Sequence, residues 1–98
     1  MELLNKKCIF RGCNSGVFFG TLLEKNGQEV MIGKCRRLWY WDGACSLSEI
    51  AKIGTTDPGN CKFTVVVDEL TILDCIEIIP CTEKATKVIE SVKEWKRS

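Results

Sequence analysis

Hydrophobic side chains recur along this chain with two different periods. Between residues 8 and 41 they fall in short runs and alternations punctuated by glycine and asparagine, and beyond residue 82 they fall at every third or fourth position. The first pattern is that of strands, whose side chains alternate between faces, and the second is that of a helix. Cys8, Ile9, Phe10 and Arg11 form a first strand candidate, followed by a turn over residues 12–16. Residues 17–25 and 28–41 read as two longer strands joined by Asn26 and Gly27. That dipeptide is the strongest short hairpin signal, because a type I′ turn needs positive φ at both central positions. A two-residue turn there pairs Leu23 with Val30, Thr21 with Ile32 and Phe18 with Cys35, and sets Gly20 opposite Gly33. Two glycines facing each other predict a sharp bend or the close approach of another backbone or a ligand. Both faces of the hairpin are apolar, with Leu23, Phe19, Val30 and Ile32 on one and Leu22, Phe18 and Met31 on the other. A ribbon buried on both faces calls for a small closed barrel or a partner copy, and from this we expect a homo-oligomer.

Ser46, Leu47, Ser48 and Glu49 match the capping box that opens a helix, which predicts a short helix over residues 46–53 stopped by Gly54. Residues 55–60 then form a surface loop with an Asp-Pro-Gly turn, a candidate lid. Residues 62–67 are strand-like, Asp68 and Glu69 read as a turn, and residues 70–79 form a further strand stopped by Pro80. Thr82 caps a final helix whose Ala85, Val88, Ile89 and Val92 make one apolar stripe, with Trp95 prolonging it. The expected architecture is a single α+β domain over residues 1–98. It has a small curved antiparallel sheet or partly closed barrel of four or five strands, a short inserted helix and a C-terminal helix.

One stretch stands out chemically. Arg36, Arg37, Leu38, Trp39, Tyr40 and Trp41 place three of the eight aromatic residues directly behind two arginines. On a strand, Arg37, Trp39 and Trp41 share one face. Guanidinium forks suit phosphate or carboxylate, and indole faces stack on bases. The helix beginning at Ser46 adds free N–H groups and partial positive charge. Arg36, Arg37, Trp39, Tyr40, Trp41, Ser46 and Ser48 are therefore the candidate ligand-binding residues. The competing reading makes the tryptophans core anchors and the arginines solvated strand charges.

Composition narrows the chemistry. The formal net charge of +1 argues against a general nucleic-acid binder. The charge is uneven all the same: residues 1–41 sum to +4 (seven basic, three acidic), 42–82 to −5 (two basic, seven acidic) and 83–98 to +2 (five basic, three acidic). The chain has no histidine, which removes the commonest general base and metal ligand. No paired-carboxylate motif stands out, so no catalytic residue is expected, and no cofactor. Seven cysteines without a Cys-x-x-Cys spacing, in a chain whose first residues lack the apolar core of an export signal, predict free thiols in a reducing cytoplasm and no metal site, although four cysteines from distant loops could in principle hold zinc. No apolar run is long enough to span a membrane.

The string from Arg36 to Trp41, with Gly43 and Ala44 and then Ser46 to Glu49 behind it, resembles a family of small phage- and prophage-encoded proteins of unknown function. The resemblance recurs at Asn60, Cys61, Lys62 and Phe63, over residues 77–83, and at Trp95 and Lys96, so it covers residues 10–97. It implies a viral origin, a location in the cytoplasm of an infected host cell, and no specific catalytic residues. By analogy with other small phage proteins, it implies action by binding. Three functions follow as expectations. The first is a non-enzymatic sponge that sequesters a nucleotide-derived small molecule used in host defence. The second is an inhibitor that binds a host protein, with the same aromatics as hot spots. The third is a single-strand nucleic-acid module, disfavoured by the low net charge.

Overall fold

A computed structural model describes residues 2–96. Six strands form one open, curved antiparallel sheet: β1 (Lys7–Gly12), β2 (Val17–Asn26), β3 (Glu29–Tyr40), β4 (Lys62–Phe63), β5 (Val67–Ile72) and β6 (Cys75–Pro80). Helix α1 (Leu47–Ile53) lies between β3 and β4, and α2 (Glu83–Ser91) follows β6. The α+β class is the expected one, with a strand more than anticipated. β3 is its axis. One edge of β3 pairs with β2, and the other pairs with β5 along its first half and with β4 near its end. β1 lies beyond β2, and β6 beyond β1.

The hairpin forms one step away from its expected register. Asn26 pairs with Glu29, so Gly27 and Gln28 make the turn and only Gly27 takes positive φ, at 63°. Two bulges follow. Leu23 is an extra residue between the Leu22 and Glu24 pairs, and Lys34 and Cys35 together face Gly20. Lys34 accepts a φ of 47° to make the second bulge. Thr21, not Gly20, therefore pairs with Gly33. The close backbone approach expected at these glycines is nonetheless present. A Cβ on Gly20 would stand 2.8 Å from the Gly33 carbonyl oxygen and 2.4 Å from Ile32 Cγ2.

β5 and β6 are joined only by Leu73 and Asp74, yet they sit on opposite sides of the sheet. The single strand expected over residues 70–79 is thus broken at Leu73 and Asp74, and the turn expected at Asp68 and Glu69 is absent because both lie inside β5. The reason is electrostatic, and the partners are distant in sequence. An edge strand tolerates outward charges, and Lys34 Nζ meets Asp68 at 2.8 Å. Asp74 instead gathers three donors from the β1–β2 turn: the backbone N–H groups of Asn14 (2.7 Å) and Ser15 (3.0 Å) and the Ser15 hydroxyl (2.5 Å). These bonds hold the Asp74 carboxyl below the usual carboxylate range, with the Ser15 hydroxyl the largest cause. The corner is further strapped by Cys13 N–H to the Asp74 carbonyl and Cys75 N–H to that of Gln28.

Alternation along the strands feeds two cores. Cys8, Phe10, Phe18, Leu22, Ile32 and Cys35 pack with Ile72 and Cys75 on the side the sheet curls around. Ile9, Phe19, Leu38 and Phe63 face the other way, onto Ile50 and Ala51 of α1 and Ile89 and Val92 at the end of α2. Much of both faces of the hairpin is thereby covered within one chain, while Leu23 stays 39% exposed. The helix caps form at the predicted Ser46 and Thr82, although the reciprocal bond of Glu49 goes to Cys45, one residue before the cap. The Ser46 hydroxyl accepts from Glu49 N–H, the Glu49 carboxylate accepts from Cys45 N–H, and the Thr82 hydroxyl accepts from Ala85 N–H.

All seven cysteines are free thiols. Burial pushes Cys8 up to about 11, and Cys35 and Cys81 up to about 12. A thiol reagent at neutral pH should therefore modify the exposed Cys13 and Cys45 quickly, and the others only after denaturation. The raised thiols also fix an alkaline limit. The unfolded chain releases these protons near the ordinary thiol value of 9.0 while the folded chain retains them to about 11 or 12. Their stabilising contribution is thus complete below that value and is lost as pH climbs from it. Thermal melts across pH 7 to 11 should stay flat and then fall, and Cys35→Ala should blunt the fall. An unchanged slope in that variant would remove Cys35 from the account.

Candidate functional site

The final residues of β3 carry the exposed aromatic chemistry. β3 pairs Leu38 with Phe63 and Tyr40 with Lys62, so Trp39 between them faces no partner and forms a bulge at the sheet edge. A bulge bends the strand and redirects a side chain. Trp39 is 62% exposed, and its ring lies nearly parallel to that of Trp95, with centroids 6.4 Å apart and planes 9° from each other. Tyr40 is 48% exposed and Trp95 45%. Lys62 Nζ stands 5.8 Å from the Tyr40 ring centre and 5.3 Å from that of Trp95, within cation–π range of both. Three exposed rings, two of them beside one ammonium, make a platform for a flat ligand that carries negative charge.

Trp95 reaches this place because α2 stops early. The helix ends at Ser91, and Val92 turns to an extended conformation. Trp95 N–H then bonds the Phe63 carbonyl at 2.8 Å, and Glu94 bridges to Phe63. Arg36 enforces this geometry. It is 4% exposed, its Nη1 donates to the carbonyls of Ile89 (3.1 Å) and Val92 (3.0 Å), its Nη2 to Phe63 (3.2 Å), and its Nε to Thr64 (3.0 Å). The guanidinium also lies 5.5 Å from the Phe63 ring centre. The carbonyls left open at the end of α2 are thus satisfied by a side chain from β3. Burial pulls the Arg36 pKa down, with Glu94 opposing it.

The expected arrangement of Arg37, Trp39 and Trp41 on a single face is not formed. Arg37 stacks on Phe18, 4.4 Å to the ring centre, and donates from Nη1 to the Ser15 carbonyl. Trp41 lies past the end of β3, half-buried against the helix-side core. Arg36 is a structural clamp, Ser46 spends its hydroxyl on the helix cap, and Ser48 is exposed on α1. Of the seven predicted residues, Trp39 and Tyr40 meet on the platform. Lys62 and Trp95 complete it, and sequence reasoning missed both. Trp95 falls three positions after Val92 with no glycine or proline between them, so in the sequence the apolar stripe runs on. The loop expected to act as a lid is pinned down. Thr55 donates its hydroxyl to the Asp42 carbonyl, and the Thr56 N–H and hydroxyl bond the Gly43 carbonyl at 3.2 and 3.1 Å. Among the described residues, no three Cys, Asp or Glu side chains stand close enough to hold a metal ion.

A family profile, described as a domain of unknown function (DUF6948), matches residues 5–89, and the chain belongs to that family. Nothing similar is found among curated proteins or among solved structures.

Proposed function

We propose that this member of the DUF6948 family is a non-enzymatic binding protein that takes up a nucleotide-derived small molecule on the platform of Trp39, Tyr40, Trp95 and Lys62. The observation that carries the reading is the exposure of three neighbouring aromatic rings, two of them with the Lys62 ammonium over their faces and the third stacked with Trp95. Indole and phenol faces accept any base, at roughly 1–3 kcal/mol per stacked base. An ammonium held beside them is a phosphate partner. A net charge of +1 suits a compact ligand better than a long polyanion. Sequestration of a host defence signal during phage infection is the role suggested by the resemblance to phage-encoded proteins.

The test titrates the protein with mononucleotides, cyclic dinucleotides and ADP-ribose, following tryptophan fluorescence and heat. At least one should quench the fluorescence saturably and be recovered unchanged. Silence across the panel, or conversion of the bound compound, would overturn the reading. A second reading, direct binding to a host protein, is favoured by the exposed Val65, Val66 and Val67 just beyond Lys62 and β4. Trp and Tyr are common interface hot spots. A platform-dependent complex with one host protein, and no nucleotide binding, would select it.

A further inference from the structure

A second site lies away from the platform. Between the β1–β2 turn and the end of β5 is a cleft of about 520 Å³, lined by Ser15, Phe18, Arg37, Leu70, Leu73 and Asp74 among others. Its volume falls within the range of roughly 300–1,000 Å³ usual for small-ligand pockets. Arg37 is the group that gives it chemistry. Its guanidinium is held over the Phe18 ring and anchored by Nη1 to the Ser15 carbonyl. Among the described residues it makes no ion pair, while Arg11 is paired with Glu77 and Arg36 is spent on four carbonyls. The Nε and Nη2 donors of Arg37 are thus left for a guest, on a fork whose orientation is already fixed. Leu73 is 71% exposed at the lip, and Leu70 is half-buried beside it. Asp74 contributes negative charge to the same cleft, but its oxygens already accept three protein donors and it forms no ion pair with Arg37. That negative charge opposes an anion on its own side of the cleft, so the guest's acid group must sit on the Arg37 side.

We propose that this cleft binds an amphipathic anion, a carboxylate or phosphate carried on an apolar body, with Arg37 taking the anion and Leu70 and Leu73 the apolar part. A charge-assisted fork supplies direction, and the leucines supply the contact that a bare ion cannot use.

The test is an NMR titration of the labelled protein with hexanoate and hexyl phosphate, beside hexanol and inorganic phosphate. One or both amphipathic anions should shift the amides of Ser15, Thr71 and Asp74, and bind at least about 10-fold more tightly than either control. Arg37→Gln should weaken that binding by about 10- to 100-fold. Leu73→Ser removes only an exposed side chain, so it should keep the wild-type spectrum elsewhere and weaken binding several-fold. Trp39→Ala should leave this titration unchanged, which separates the cleft from the platform. Equal binding of hexanol, binding of inorganic phosphate alone, or undiminished binding in Arg37→Gln or Leu73→Ser would overturn the proposal.

Discussion

Arg36→Ala should lower the melting temperature by about 12 °C or more, because it removes a largely buried charged donor shared by four carbonyls, of which only those of Phe63 and Ile89 keep a backbone N–H partner outside the strands and helices. Hydrogen bonds to a charged group are worth about 1.5–3 kcal/mol each, and buried acceptors left alone incur a further desolvation penalty. The bonds share one side chain and are not additive, so a total on the order of 3–5 kcal/mol is expected. A domain of this size loses about 4–8 °C per kcal/mol. The guanidinium joins the end of α2 to β4 and the segment after it, touching the carbonyls of Ile89, Val92, Phe63 and Thr64. Arg36→Lys keeps the charge but not the fork, and should recover less than half of the loss. Circular dichroism melts decide the matter. A melting temperature within about 2 °C of wild type for Arg36→Ala would mean that packing alone docks α2.

Trp39→Ala and Trp95→Ala should each weaken nucleotide binding about 5- to 150-fold, the equivalent of roughly 1–3 kcal/mol of stacking. Neither should change stability by more than about 1 kcal/mol, since Trp39 is mostly and Trp95 nearly half exposed. Trp39→Phe should restore most of the affinity. Trp41→Ala should do the reverse. Its half-buried ring packs on the helix-side core, so its loss should cost on the order of 2 kcal/mol of stability, below the roughly 3–5 kcal/mol of a fully buried ring. Parallel melts and titrations of the three variants measure both effects. Equal destabilisation by all three would make Trp39 and Trp95 core residues and remove the platform.

Local chemistry was the legible part of the fold. The caps at Ser46 and Thr82, the hairpin between β2 and β3 and the stripe on α2 each depend on neighbours within a few residues. What escaped depends on partners far along the chain. The break at Leu73 and Asp74 is made by donors from Asn14 and Ser15, and the end of α2 by a guanidinium from β3. The candidate site divides the same way. Strand alternation placed Arg37, Trp39 and Trp41 on one face, but the bulge at Trp39 interrupts that alternation and Trp41 lies beyond the strand. Lys62 and Trp95 carry no signal of their own because they become neighbours of Tyr40 and Trp39 only after β4 and the C-terminal segment dock.

An open sheet ordinarily has two independent margins, each able to fray without the other. Here one length of chain supplies most of one margin and all of the other, since β5 runs along the first half of β3, β6 along β1, and only Leu73 and Asp74 separate them. The corner between them is tied to the β1–β2 turn by the Asp74 carboxylate and the Cys13 N–H. Releasing one margin slackens the corner and so loosens the other. The two rims are therefore expected to open together, with Asp74 as their latch.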